Sequence, residues 1–422
     1  MSTTALILAL TLAAPAGKTA SPSAARFKLK PGASGQVCLD CHVDFQQVVK
    51  RAAVHTPVKS RDCTGCHNPH ASDHGKLLAA EPRQVCGRCH EGVVPEAARS
   101  THRPVTEKGC AACHDAHASA NRFQLVKPQA ELCASCHKPV TDAAAKAKHK
   151  HRPLERTGCT ACHDPHGSAK AEHLLKVAVP ALCVGCHKTT AAPFARAHQG
   201  YPVAKADCSS CHDPHGSDRR GMLYARVHSP VARMMCNQCH EPAGSPNALA
   251  TKQEAPGLCR ACHAQQLAAM LDKNRVHQPV LEGKACLVCH GPHASRQAGL
   301  LRARPAAVCG KCHADTIRKS DRALDKHAPV EGGECTACHD PHSGGSALLL
   351  VEQDRVALCG KCHDWATHST HPIGTKAVDP RNANLTLDCL SCHRAHGTEF
   401  RKLMPFATQT ELCVKCHESY RR

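Results

Sequence analysis

Cysteine and histidine carry the reactive chemistry of this sequence. Its 422 residues include 32 Cys and 35 His. Every Cys sits in a Cys-x-x-Cys pair, and every pair runs directly into a His. The cysteines are Cys38 and Cys41, Cys63 and Cys66, Cys86 and Cys89, Cys110 and Cys113, Cys133 and Cys136, Cys159 and Cys162, Cys183 and Cys186, and Cys208 and Cys211. The series continues with Cys236 and Cys239, Cys259 and Cys262, Cys286 and Cys289, Cys309 and Cys312, Cys335 and Cys338, Cys359 and Cys362, Cys389 and Cys392, and Cys413 and Cys416. Closely spaced thiols serve disulfide frameworks, zinc sites and redox pairs. Zinc would combine two such pairs into a four-ligand site and would not need the His every time. Sixteen copies with no thiol left over point instead to covalent haem. Two Cys three positions apart can each form a thioether to one vinyl group of the same haem, and the adjacent His then binds iron from one face. The expected cofactor is haem c, sixteen groups in all.

The proximal histidines would be His42, His67, His90, His114, His137, His163, His187, His212, His240, His263, His290, His313, His339, His363, His393 and His417. Six-coordinate iron with two His ligands would need sixteen more. Eight candidates open a His-x-Pro segment or a variant of it: His55, His102, His151, His198, His228, His277, His327 and His371. Seven others stand three residues after a proximal His: His70, His117, His166, His215, His293, His342 and His396. A histidine so placed lies on the same side of its own haem, so it should reach the free face of a neighbouring one. One position then remains, for which His74, His149, His173 and His368 compete.

The elements that hold these residues recur with a period of about 50 residues. A full repeat begins with His-x-Pro-Val, reaches a first Cys-x-x-Cys-His and Asp-Pro-His, passes a Leu-Leu pair, and ends in a second Cys-x-x-Cys-His. Residues 151–187 show it, from His151 through Cys159, Asp164-Pro165-His166 and Leu174-Leu175 to His187. Short helices are expected before the His-x-Pro segments, over Phe45 to His55, Ala264 to His277 and Thr316 to His327, each delivering its His at the C-terminal end and stopped by the Pro. The pattern fails in the middle of the chain. There the residue three beyond His240 is Ala243, which has no lone pair to offer. Residues 228–263 are thus a degenerate repeat, and Cys38 and Cys208 open unpaired haem sites. Some haem near residues 208–263 lacks its expected ligand. His173 is the leading substitute, with Met222, Met234 or Met235 the sulfur alternatives and an open iron the third. Two eight-site halves, residues 37–215 and 216–422, are expected to follow an export signal at 1–16 and a flexible leader at 17–36.

Composition agrees with a haem interior. The 6 Phe, 1 Trp and 3 Tyr cannot supply an ordinary core for this length, which normally leans on aromatics. The 28 Pro and 27 Gly count against long helices or a wide sheet. The expected fold is mostly irregular, with short α-helices, almost no β structure and a haem-packed core. The formal charge of +19 would suggest nucleic acid or an anionic surface. Thirty-two ionised haem propionates would turn it to about −13, so the basic residues read as propionate partners and solvated surface, and no nucleic-acid partner is expected. Ala5 to Ala14 is apolar, ends in Ala14-Pro15-Ala16, and is too short to span a membrane, which reads as an export signal. Export suits a haem attachment completed outside the cytoplasm. No transmembrane helix is expected.

His-x-Pro-Val, Cys-x-x-Cys-His-x-Pro-His, Leu-Leu and Leu-Cys-x-x-Cys-His together resemble the doubled Cys-x-x-Cys-His domain of multihaem c-type cytochromes, over about residues 37–418. Several members are similar to decahaem wires that dock into or thread through outer-membrane porin barrels. The resemblance implies bis-His haems in van der Waals proximity, little regular structure, and electron transfer without substrate turnover. The expected function is an electron wire in anaerobic or extracellular respiration, periplasmic, outer-membrane-associated or extracellular. Its partners would be redox proteins: a periplasmic or inner-membrane donor and, on the far side, an outer-membrane porin with a surface cytochrome. The rival expectation is a multihaem reductase of nitrite, hydroxylamine or a sulfur oxyanion. That would need one open iron face and acid–base groups beside it, and no such constellation is visible.

Overall fold

The computed structural model describes residues 33–365 and 371–420. The export signal and most of the leader, together with His368, lie outside the described residues. Two compact bodies are present. One comprises residues up to 138 together with 158–176; the other comprises 139–157 and 177 onward.

Short elements dominate both bodies, as expected from the frequency of Pro and Gly. The longest helices are Gln129–Lys146, bent at His137 and carrying Pro139, and Gly257–Leu271, bent at His263. Most others span four to six residues. Strands form two-stranded antiparallel ribbons. Ala53–Val54 pairs with Ala118–Ser119, Ser100–Thr101 with Gly167–Ser168, Arg226–Val227 with Ala294–Ser295, and Arg275–Val276 with Ser343–Gly344. Val378–Asp379 and Asn382–Thr386 make a further hairpin. Each of the first four ribbons joins the residues before a His-x-Pro to those just after the third-position His of the next repeat.

One expectation is corrected here. The His-x-Pro histidines do not end the preceding helix. They are the N-cap residues of a following one, as His55 is for Thr56–Lys59, His102 for Arg103–Glu107 and His277 for Gln278–Leu281. The anticipated helices exist but stop earlier, at Val48, Leu271 and Arg322. The reason lies in the Pro. It presets the backbone for the first helical turn, where its missing N–H is not needed. Pro therefore starts these helices. His198 is the exception: it caps the C-terminus of Ala192–Ala197.

Protein side chains alone make little of the interior. The buried apolar residues are Leu39, Val85, Tyr201, Val356 and a set of alanines such as Ala118, Ala171, Ala248 and Ala294. Among the described residues no large side chain is fully buried, while Phe123, Leu324, Leu281 and others stand exposed.

Candidate haem sites

Each Cys-x-x-Cys-His closes one helical turn on itself. The His N–H donates to the carbonyl of the first Cys, at 3.0 Å for His67, His90 and His114 and 2.9 Å for His290 and His393. Positions i, i+3 and i+4 share one face of such a turn, so both thiols and the imidazole point the same way. The first motif of a repeat is generally a 3₁₀ turn, as at Cys110–Ala112 and Cys335–Ala337. The second lies on an α-helix, as at Pro82–Gly87 and Arg355–Gly360.

The imidazoles then meet in pairs. Every pair joins one proximal candidate to one distal candidate. His55 faces His90, His102 faces His137, His151 faces His187, His228 faces His263, His277 faces His313, His327 faces His363 and His371 faces His417. These link the opening His of a repeat to that repeat's second motif. His117 faces His67, His166 faces His114, His293 faces His240, His342 faces His290 and His396 faces His339. In these the third-position His faces the first motif of the preceding repeat. His198 faces His212 within one repeat. Ring centres are 5.8 to 6.2 Å apart. A metal–imidazole bond is about 2.0–2.1 Å, so two such rings placed trans on one iron would have centres roughly 6.3 Å apart. The spacing fits a shared iron.

The first-motif rings and most opening rings are also held in the tautomer that iron needs. Nδ1 of His67 donates to the carbonyl of Lys76, His114 to Phe123, His163 to His173, His240 to Leu249, His290 to Gly299, His339 to Leu348 and His393 to Lys402, at 2.6–2.9 Å. Among the opening histidines, His55 donates to Ala116, His102 to Pro165, His151 to Pro214, His228 to Pro292 and His277 to Pro341, at 2.7–2.9 Å. A proton fixed on Nδ1 leaves the Nε2 lone pair for metal, the usual outer-shell arrangement of a ligating His. Burial lowers the pKa of His117, His151, His166, His212, His293, His327, His342 and His396, which favours the neutral, ligating form.

The carbonyls that orient the proximal rings explain the Leu-Leu segment, whose role the sequence did not reveal. Lys76, Phe123, His173 and Lys402 have φ of 62°, 59°, 58° and 60°, in the left-handed region, and each is followed by a second residue there, such as Leu77 or Leu403. This costs roughly 1–2 kcal/mol per non-glycine residue. The turn brings the chain back beside its own motif, where Leu78, Leu125 and Leu175 pair with His67, His114 and His163. A serine clasps the turn. Ser119 Oγ donates to the carbonyl of Leu125 and Ser168 Oγ to that of Leu175, at 2.8 and 2.6 Å, and both serines are buried. Their repeated position two residues after the third-position His, also filled by Ser217 and Ser295, is a signal the sequence carries.

Thiols of consecutive motifs are neighbours. Burial and the adjacent Cys110 push the Cys86 thiol up to about 11. Burial and Cys335 do the same for Cys309, and burial and Cys389 push Cys359 to about 12. Cys159 and burial raise Cys133, and burial with Cys286 raises Cys259. The second thiols adjoin within each repeat, with Cys136 beside Cys113, Cys262 beside Cys239, Cys312 beside Cys289 and Cys362 beside Cys338. Attachment points therefore succeed one another in chain order, from Cys38 to Cys159 in one body and from Cys208 to Cys413 in the other. The cysteines are all free of disulfides. Among the described residues no three His, Cys, Asp or Glu side chains converge on a site for a bare metal ion.

The ring opposite His212 corrects a further expectation. His198 takes that place, not His173, whose carbonyl instead serves His163. Of the remaining competitors, His74 lies 3.2 Å from Glu81, and the backbone of His149 bridges to Ser217.

Turns that present two thiols and an imidazole on one face, repeated and met by second imidazoles, define a multihaem c-type cytochrome. The doubled CXXCH motif model matches residues 55–94, 102–142, 151–192, 201–227, 228–268, 277–318, 327–368 and 383–422. The chain belongs to this family and binds covalent haem c for electron transfer. Comparison with curated proteins finds no match. Among the described residues no helix is long and apolar enough to cross a membrane.

Proposed function

We propose that the protein is an electron wire carrying sixteen haems, all but at most one or two of them bis-His. The observation that carries this reading is the succession of attachment points in chain order within each body, from Cys38 to Cys159 in one and from Cys208 to Cys413 in the other. Each haem, when bound, takes up or releases one electron at its iron. The chain's own residues would hold the group: two thiols would attach it, paired histidines would supply imidazoles to its iron, and backbone carbonyls would orient the first-motif and opening rings through Nδ1. Two ligands close both iron faces, which suits electron passage and leaves no face for a substrate. The cross-repeat rule extends to His70 as the partner of His42.

We further propose export and a role in anaerobic or extracellular respiration, at the periplasm or outer membrane, between an inner-membrane or periplasmic donor and a porin-associated or surface acceptor. The sequence of residues 1–16 supports export. Reductive titration of the purified holoprotein tests the wire: one electron per haem, rapid full reduction by a single donor, and no turnover of nitrite, hydroxylamine or sulfite are expected. Steady turnover of any of these would replace the wire with a reductase. Haem staining of periplasmic and membrane fractions tests the location.

A further inference from the structure

Three departures from the repeat fall together around residues 198–243. In six other repeats the opening His stands two residues before its Pro, but here that place is Gly200, ahead of Pro202, and the histidine stands upstream at His198. Gly200 has φ +76°, and a Cβ built on it would meet the Cβ of Ala243 at 4.0 Å. In four other repeats the two corresponding positions are both histidines joined through their backbones. His228 donates its N–H to the His293 carbonyl at 2.9 Å, and His277 to that of His342 at 2.8 Å. Here the couple is replaced by Gly200 and Ala243. The Tyr201 hydroxyl, donating to the Glu241 carbonyl at 2.9 Å, makes the cross-repeat link instead.

The third departure explains the first. This repeat has a single motif, at Cys208, so an opening His at position 200 would have no second iron to serve. The missing histidine at 243 is different, because it would have faced His212. His198 answers that loss. It ends the helix Ala192–Ala197, its Nδ1 donates to the Phe194 carbonyl at 2.9 Å, and its ring lies 4.3 Å from that of Phe194. It faces His212 at 6.1 Å, but with the ring planes crossed at 63°. The His290 and His342 planes meet at 11°, and those of His228 and His263 at 18°. The next most crossed pair, His371 and His417, stands at 48°.

We propose that His198 has taken over from position 243 as second axial ligand of the haem attached at Cys208 and Cys211, and that its crossed imidazole plane makes this iron electronically distinct from its neighbours. This rests on haem attachment at that motif, not on the wire reading. An imidazole donates π density perpendicular to its plane. Parallel rings therefore raise one iron d orbital above its partner, whereas crossed rings raise both and leave them nearly degenerate. Near-degeneracy gives a low-spin ferric signal with one very large g value, in place of the rhombic signal of parallel pairs.

Electron paramagnetic resonance of the oxidised holoprotein, with haem counted separately by pyridine haemochrome, tests this. The wild type should show a highly anisotropic low-spin component beside the rhombic signals. His198→Ala should keep its haem number, lose that component, and bind one equivalent of carbon monoxide when reduced. Added imidazole should restore a low-spin iron. His198→Met should close the site again and raise one midpoint potential. Retention of the component in His198→Ala with no carbon monoxide bound would overturn the assignment, as would a sulfur–iron charge-transfer band in the wild type. Should the variants fail to fold, its absence from the wild type overturns the proposal alone. A haem number short at Cys208 would instead remove the attachment on which it rests.

Discussion

The backbone N–H of His55 donates to the carbonyl of His117 at 2.9 Å, although the two rings face different proximal histidines. His55 faces His90 and His117 faces His67. The same bond joins His102 to His166, at 3.2 Å. One short ribbon thus places two candidate distal histidines together, one facing a motif of its own repeat and one facing a motif of the repeat it joins. The repeats are stitched through their iron ligands, so damage at one ligand should be felt at its ribbon partner.

Replacing His117 tests this directly. His117→Ala removes the ring facing His67 and should open one iron, so that the reduced protein gains one carbon monoxide equivalent. His117→Met should instead raise the potential of one haem. In both, the band or potential of the haem served by His55 should shift slightly. Redox titration followed by absorbance measures both effects.

Loss of one attachment should act locally. Cys159→Ala with Cys162→Ala should remove one haem by intact mass. It should also disturb the haem at Cys133, whose thiol adjoins Cys159. A wild-type mass corresponding to fourteen or fewer haems on mature protein would contradict the count of sixteen.

The serine clasp should hold the turn without binding haem. Ser119 Oγ also accepts from the Asn121 N–H, at 2.8 Å, so Ser119→Ala leaves that half-buried amide short of a partner, while the Leu125 carbonyl keeps the Asn121 Nδ2 donor at 2.9 Å. A cost of about 1–3 kcal/mol is expected. It should appear as a lower apparent melting temperature with unchanged haem content.

Acid should loosen the hairpin at 378–386. Arg381 donates to both oxygens of Asp379 and to the carbonyl of Ser391, tying the hairpin to the turn Cys389–Cys392. The guanidinium holds the Asp379 carboxyl well below the usual carboxylate range. A folded-state pKa below the unfolded one stabilises at pH above the unfolded value, about 3.9, and the stabilisation is lost as pH falls from there through the folded value. Proteolysis near this hairpin should accelerate in the wild type as pH drops below about 4. Asp379→Asn should be cleaved readily at neutral pH and show less pH dependence.

Haem should be a condition of folding. About 25 residues per haem bury little surface by themselves, and the buried apolar side chains are mostly alanines. Haem-free chain should show no cooperative thermal transition by circular dichroism, as small metal domains do without their metal.

The sequence by itself determined the chemistry and the local geometry. A Cys-x-x-Cys-His can close a helical turn without outside help, because all its contacts lie within four residues. The crossing of His117 or His342 to a neighbouring haem was legible for the same reason, since a side chain three positions on cannot turn round to its own iron's far face. Proline was legible as a helix boundary, but not which boundary. His55 and His277 cap helices that follow them, and that choice depends on the ribbon drawing the preceding residues into extended pairing. Tertiary structure alone decided the rest. Which repeat each ligand serves, the chain-ordered succession of attachment points and the left-handed turns at Lys76 and Phe123 all depend on contacts between distant residues. The stand-in for Ala243 depends on them most. Chain distance suggested His173, but the ring that reaches His212 is His198, beside a place where Gly200 lies against Ala243, residues about forty positions apart that no local pattern brings together.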